Sequence, residues 1–188
     1  MNAIKTKIPG LLIIEPRVFK DDRGYFYETY QNQRYQQAGI LYDFKQDNEA
    51  FSTFGVVRGL HYQLSPYAQT KLVRVVMGKV LDVAVDIRKG SPTFGEWVSV
   101  ELSAENKRQF LIPKGFAHGY SVLSETAIFS YKCDDYYNPA SERGINPNDV
   151  ELSVDWGVPL EKQIISVKDQ QLPEFKKAEF NFLFDNHA

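Results

Sequence analysis

The sequence predicts an all-β fold, a sandwich or barrel with little helix, and three observations carry that expectation. Short β-type runs recur along the 188 residues, bounded by Gly, Pro, Asn and Asp. Helical signals are confined to two short stretches. Aromatic residues are plentiful, with 13 Phe and 11 Tyr, the side chains that fill a pleated, half-buried surface. An antiparallel jelly roll is one solution of this kind, and its open end is a natural pocket mouth.

The clearest strand lies in "KVLDVAVDIRKGSP". Leu81, Val83, Val85 and Ile87 fall on one face, and Asp82, Ala84, Asp86 and Arg88 on the other. Lys89-Gly90-Ser91-Pro92 then ends it as a turn. Further strands are expected at Leu12–Pro16, Gly24–Thr29, Val56–Gln63, Lys71–Met77, Trp97–Leu102, Gln109–Ile112, Gly119–Leu123, Ala127–Tyr131 and Leu152–Val154. "QNQRYQQAGI" predicts a short helix stopped by Gly39, because glycine accepts the left-handed conformation that ends a helix. The tail "EFKKAEFNFLF" after Pro173 predicts a second. No repeat, low-complexity tract or linker interrupts the chain, so one domain over residues 1–188 is expected.

Charge and cysteine content exclude several functions. The chain carries 22 Lys+Arg against 24 Asp+Glu, a formal net charge of −2. That balance argues against a general nucleic-acid or anionic-membrane binder. A polyanionic ligand would need a local basic cluster instead. One cysteine, Cys133, forbids an intramolecular disulfide and suits a reducing, cytoplasmic setting. No signal peptide is expected in "MNAIKTKIPGLLIIEP", which breaks at Pro9-Gly10, and no apolar run approaches a membrane span.

Polar residues embedded in strands are the candidates for chemistry. "FGVVRGLHYQ" puts Arg58 and His61 on one expected strand. Three residues apart, they would point to opposite faces of a regular strand. Gly59 between them permits a bulge that would bring both to one pocket. "IPKGFAHGYSVLS" places His118 at a tight, Pro/Gly-rich entry to a strand. Each candidate also has a plain structural reading. A lone histidine is usually a satisfied core residue, Lys71 at a strand start is a solvated edge charge, and Tyr131 is a packing residue. Arg23 and Glu28 read equally as an ion pair at a sheet edge, and Gln46 and Asn48 as side chains satisfying a loop backbone. His187, in the terminal "DNHA", is expected to be disordered.

Taken together, "GVVRGLHYQ", "KLVRVVMGKVLDVAVDIRKGSPTFG", "IPKGFAHGYSVLS", "YKCDDYYNPASERGI" and "VKDQQLP" closely resemble the dTDP-4-dehydrorhamnose 3,5-epimerases. The resemblance runs from about Gly10 to Pro173, in order. It implies a cupin-type antiparallel jelly roll with a few short peripheral helices. It also implies a homodimer in which the Arg23–Glu28 region completes the partner's site. Many cupins hold a metal through a His-x-His pair. Here Tyr62 and Gln63 follow His61, so that cage cannot form, and no metal or cofactor is expected.

The implied substrate is dTDP-4-dehydro-6-deoxy-D-glucose, whose C4 ketone acidifies the C3 and C5 hydrogens. The resemblance makes His61 the base and Asp169 its orienting carboxylate. Lys71 lies at the C4 oxygen, where such a donor contributes roughly 3–4 kcal/mol. Tyr131 is the proton donor on the opposite face. Arg23, Arg58 and Lys168 surround the diphosphate, His118 contacts the sugar or the developing oxyanion, and Glu28, Gln46, Asn48 and Glu142 contact the nucleotide sugar. Tyr137 stacks on the thymine. Alternatives are an epimerase acting at C3 or C5 only, a related ketoisomerase, or a binding cupin without activity. The continuous motif match favours the double epimerase, and the intact base and donor disfavour a merely binding protein.

Overall fold

Two antiparallel sheets are built from strands that the turn residues delimit. The computed structural model describes residues 1–185; the expectation for His187 lies outside them. The first sheet has six strands: β1 (Asn2–Lys5), β2 (Leu12–Glu15), β5 (Gln46–Thr53), β7 (Lys71–Met77), β10 (Gln109–Ile112) and β12 (Thr126–Cys133), in the order β1-β2-β10-β7-β12-β5. The second contains β6 (Val56–Gln63), β8 (Lys79–Asp86), β9 (Trp97–Ser103), β11 (Phe116–Val122) and β13 (Glu142–Gly144), in the order β13-β6-β11-β8-β9. A two-residue strand, β14 (Ile164–Ile165), pairs in parallel with the start of β6. A small hairpin of β3 (Phe19–Asp21) and β4 (Gly24–Phe26) stands apart from both sheets.

The core lies between the sheets, where Val73, Val75, Phe110, Ile112 and Phe129 of the first meet Val80, Ala84, Leu102, Phe116 and Val122 of the second. Each fully buried side chain of this size contributes about 1.5–3 kcal/mol. A second cluster covers the outer face of the β6–β11–β8 sheet, joining Val57, Leu60, Tyr62, Val83, Val85 and Ile87 to Ile145, Trp156, Phe175 and Phe182. A third packs Tyr35 and Ile40, in and just after the first helix, on Ile14, Leu72 and Leu111 of the other sheet. Strand β8 is therefore sandwiched on both faces, and its acidic residues do not meet water. Asp82 and Asp86 are both fully buried. Asp82 shares the inner face with Val80 and Ala84.

Most expected strands are present, with instructive differences. The helix forms over Asn32–Gln37 (α1), with Ala38 at its C-cap and Gly39 beyond it at φ +80°. The tail forms no helix beyond one 3-10 turn at Phe175–Lys177. Phe180 and Phe182 instead pack on Tyr62, and the backbone runs alongside Lys89. Tertiary burial of alternate aromatics overrides the local helical pattern there. Leu152–Val154 is not a strand. The Asp149 carboxylate receives the N–H groups of Glu151 and Leu152, and Ser153 takes a positive φ of 45°, so the segment turns. Gln46 and Asn48 sit on β5 rather than in a loop, and the strand expected from Gly24 ends at Phe26. Strand β11 begins at Phe116, so His118 lies within it rather than at its entry. Among the described residues no helix is long and apolar enough to cross a membrane.

Candidate active site

The bulge between Arg58 and His61 organises the site. Across the β6–β11 pairing, His61 faces His118 while Arg58 faces Tyr120, so three steps on β6 match two on β11. Gly59 adopts φ +131°, and a Cβ there would meet the Gly119 Cα at 2.6 Å and the His118 carbonyl oxygen at 2.9 Å. Only glycine fits that approach. Because the pleat yields there, Arg58 and His61 line the same cavity.

That cavity encloses about 530 Å³. His61, Lys71, His118, Tyr131, Lys168 and Asp169 line it with Arg58, alongside an apolar portion of Ala50, Val56, Ile164 and Ile165. A neighbouring recess of about 270 Å³ shares His61, Lys71 and Tyr131 and adds Gln46, Asn48, Tyr137 and Glu142. Eleven of the thirteen residues singled out in the sequence thus border one continuous set of surfaces. Arg23 and Glu28 do not. Nor do they pair with each other: Arg23 binds Asp21 at 2.6 Å on the exposed hairpin, and Glu28 binds Arg34.

His61 Nε2 lies 2.8 Å from Asp169 Oδ1. Ser166 places that carboxylate by capping the short helix α2 (Val167–Gln170), its hydroxyl accepting the Asp169 N–H at 3.0 Å. The Gly59 N–H donates to the other carboxylate oxygen at 3.4 Å. Burial pushes the Asp169 carboxyl up, but the His61 hydrogen bond and charge, with the Gly59 and Ser166 contacts, outweigh it and hold it below its ordinary value. An ionised Asp169 can only accept, so neutral His61 carries its proton on Nε2 and keeps a basic lone pair on Nδ1.

A second imidazole–carboxylate pair lies beside the first. His118 Nε2 is 3.0 Å from both oxygens of Asp82. Burial holds His118 below the ordinary histidine value and pushes Asp82 up, while their mutual attraction opposes both shifts. With Nε2–H committed to Asp82, a neutral His118 presents an acceptor on Nδ1, suited to a sugar hydroxyl rather than to an oxyanion. Sequence reasoning missed Asp82; an acid within the apolar alternation "VLDVAVD" was the available signal.

Lys71 begins β7, paired with Ile112 and Cys133, and its ammonium makes no hydrogen bond or ion pair among the described residues. Its ammonium lies 6.0 Å from the centroid of the Tyr131 ring. Burial lowers its pKa, opposed by Cys133, Asp82 and Glu142. Burial likewise pushes the Tyr131 hydroxyl up to about 12, so it is a proton donor at neutral pH. Cys133, raised to about 11 mainly by burial, stays a thiol against Asn48. At the rim, the Glu142 carboxylate accepts from Lys168 at 2.7 Å and from the Tyr137 hydroxyl at 2.9 Å. Gln46 links to both Asn48 and the Tyr137 N–H. No group of three His, Cys, Asp or Glu side chains among the described residues is arranged to hold a metal ion.

The chain is similar to known proteins over nearly its whole length. The family model described as dTDP-4-dehydrorhamnose 3,5-epimerase matches residues 5–177. A relative of that name from Shigella flexneri is 54% identical over 181 residues, 96% of this chain and 99% of its own. The crystal structure of the Elizabethkingia anophelis dTDP-4-dehydrorhamnose 3,5-epimerase superimposes with a TM-score of 0.90 at 52% identity, covering 94% of this chain and 97% of that one. A Legionella pneumophila dTDP-6-deoxy-D-glucose-3,5-epimerase, solved in complex with dTDP-4-keto-L-rhamnose, also gives a TM-score of 0.90, at 54% identity over 94% of this chain and 93% of that one. With its jelly roll of antiparallel sheets and this agreement over nearly its whole length, the chain belongs to the dTDP-4-dehydrorhamnose 3,5-epimerase family.

Proposed function

We propose that the protein epimerises C3 and C5 of dTDP-4-dehydro-6-deoxy-D-glucose, giving dTDP-4-dehydro-L-rhamnose. The observation that carries this reading is one cavity lined by an oriented base, an unpaired cation and a protonated phenol: His61 on Asp169, Lys71, and Tyr131. His61 Nδ1 removes the hydrogen next to the ketone. Electron density moves onto the C4 oxygen, where the Lys71 ammonium stabilises the enolate without needing to leave a protein partner. Tyr131 returns a proton to the opposite face and is reprotonated from solvent, while the His61 imidazolium gives its proton up to solvent. The sequence repeats at the second carbon. Asp169 holds the tautomer and stabilises the imidazolium that forms. His118 accepts from a sugar hydroxyl. Arg58 and Lys168 serve the diphosphate, Gln46, Asn48 and Glu142 the nucleotide sugar, and Tyr137 the thymine. No cofactor is required, because the ketone supplies the acidity.

The active unit in this reading is a homodimer, with Arg23 and Glu28 serving the partner's cavity. In support, neither residue lines the cavity of its own chain, and the hairpin bearing Arg23 exposes Phe19, Tyr25 and Phe26. A nucleotide-sugar substrate and a lone buried thiol suit a cytoplasmic enzyme. The test is incubation with the 4-keto nucleotide sugar in D2O, followed by NMR. Deuterium at both C3 and C5, with the L-lyxo product, is expected. Label at one carbon only would make the protein a single epimerase, and no label would end the reading.

A further inference from the structure

Tyr120 lines the large cavity beside Arg58, its partner across the β6–β11 pairing. Its ring is well held, stacked on Phe129 with centroids 4.1 Å apart and planes at 17°. Its side chain is 5% exposed, and its hydroxyl, although close to Ser52 and Arg58, completes a well-formed hydrogen bond with neither. Packing accounts for the ring but not for the oxygen, since burying an unpaired hydroxyl costs stability that phenylalanine would retain. Burial raises the pKa of this hydroxyl, and Asp82 adds to that. Ser52 and Arg58 pull the other way without cancelling the rise. The group is therefore a donor at neutral pH. Arg58 spends Nε on the Ser52 hydroxyl at 3.1 Å and Nη2 on the Phe51 carbonyl at 3.5 Å, and its Nη1 binds nothing among the described residues.

An unspent phenol donor and an unspent guanidinium donor, side by side in a cavity, match an anionic oxygen. We propose that the Tyr120 hydroxyl and Arg58 together bind a phosphoryl oxygen of the nucleotide diphosphate, making Tyr120 a ligand-binding residue. This rests on the nucleotide-sugar reading above. The hydroxyl is then satisfied only in the complex, and the free protein carries it as an unpaired group.

Tyr120→Phe removes that oxygen and leaves the ring. Calorimetric titration with dTDP and with dTDP-glucose is expected to show both affinities weakened about tenfold or more, in the same ratio. The ligand-free variant is expected to melt no lower than wild type, while dTDP raises its melting temperature less. An unchanged dTDP affinity overturns the proposal, including the case where only dTDP-glucose binds more weakly, which would assign the hydroxyl to the sugar. A variant that melts clearly below wild type also overturns it, because the hydroxyl would then have a partner within the protein. Wild-type protein that failed to bind dTDP at all would defeat the nucleotide-sugar reading itself. Normal wild-type binding and turnover with an unaffected variant would defeat this inference alone.

Discussion

His61 and Asp169 stand 108 positions apart in the chain and 2.8 Å apart in space, joined Nε2 to Oδ1. The contact depends on two local devices, the bulge at Gly59 and the Ser166 cap, which bring β6 and α2 together. Asp169→Asn keeps the shape but can present an amide N–H to Nε2, forcing the proton onto Nδ1. Proton abstraction is expected to slow by about 10²–10⁴-fold, with a much smaller change in KM. Deuterium incorporation at C3 and C5 measures it, and a rate within threefold of wild type would remove Asp169 from the mechanism.

Lys71 is expected to set the alkaline limit of turnover. In the proposed mechanism it must be charged to stabilise the enolate, and burial lowers its pKa. Activity is therefore lost as pH rises through a value below the ordinary ~10.4 of lysine. Tyr131, at about 12, loses its proton later. A kcat profile still flat beyond pH 10.5 would contradict this assignment.

Arg23 tests the shared site. Arg23→Ala and His61→Asn are each expected to be nearly inactive alone. After unfolding and refolding as a mixture, half the dimers are mixed, and one of the two sites in each mixed dimer is intact. Activity is expected to recover to about a quarter of wild type, as two-fold symmetry requires. No recovery would mean that each site takes both residues from a single chain.

Gly59→Ala would set a methyl group against Gly119 and the His118 carbonyl, in a conformation that L-residues avoid. Stability is expected to fall by about 2–4 kcal/mol. Turnover in the folded fraction should fall further, because Arg58 and His61 lose their common direction. Urea denaturation and initial rates measure the two effects separately.

Asp86 anchors the far end of β8. Fully buried, it accepts hydrogen bonds from Arg88, Ser91 and Thr93. Burial alone would raise its pKa, but the Arg88 and Ser91 bonds outweigh it and the value is lowered. Its stabilisation is therefore complete above the ordinary carboxylate value near ~3.9 and is lost as pH falls through the lower folded one. Asp86→Ala, which leaves Arg88 without its partner, is expected to cost about 3–5 kcal/mol at pH 7. Its melting temperature should also fall less steeply than wild type's below pH 4. Parallel acid profiles would refute the role.

What the sequence determined by itself was the strand-rich architecture and the inventory of chemistry. Alternating valines and leucines between turn residues specify strands because burial on a pleated surface has a period of two, and that period survives in "KVLDVAVDIR" without knowledge of any neighbour. Gly39 ended its helix for an equally local reason. The motif order also carried the family. The tertiary structure decided which groups meet. The alternation puts Asp82 on the face opposite Val83 and Val85 without saying which face meets water, and only the second covering layer of Trp156, Phe175 and Phe182 shows that β8 has no wet face. The tail looked helical because its local pattern could not report the aromatic surface at Tyr62 that extends it. Gly59 could be flagged as a place where the pleat might yield, but the direction of that bend is set by Gly119 on another strand. Pairing across more than a hundred residues is a property of packing, and one strand's pattern does not contain its partner's position.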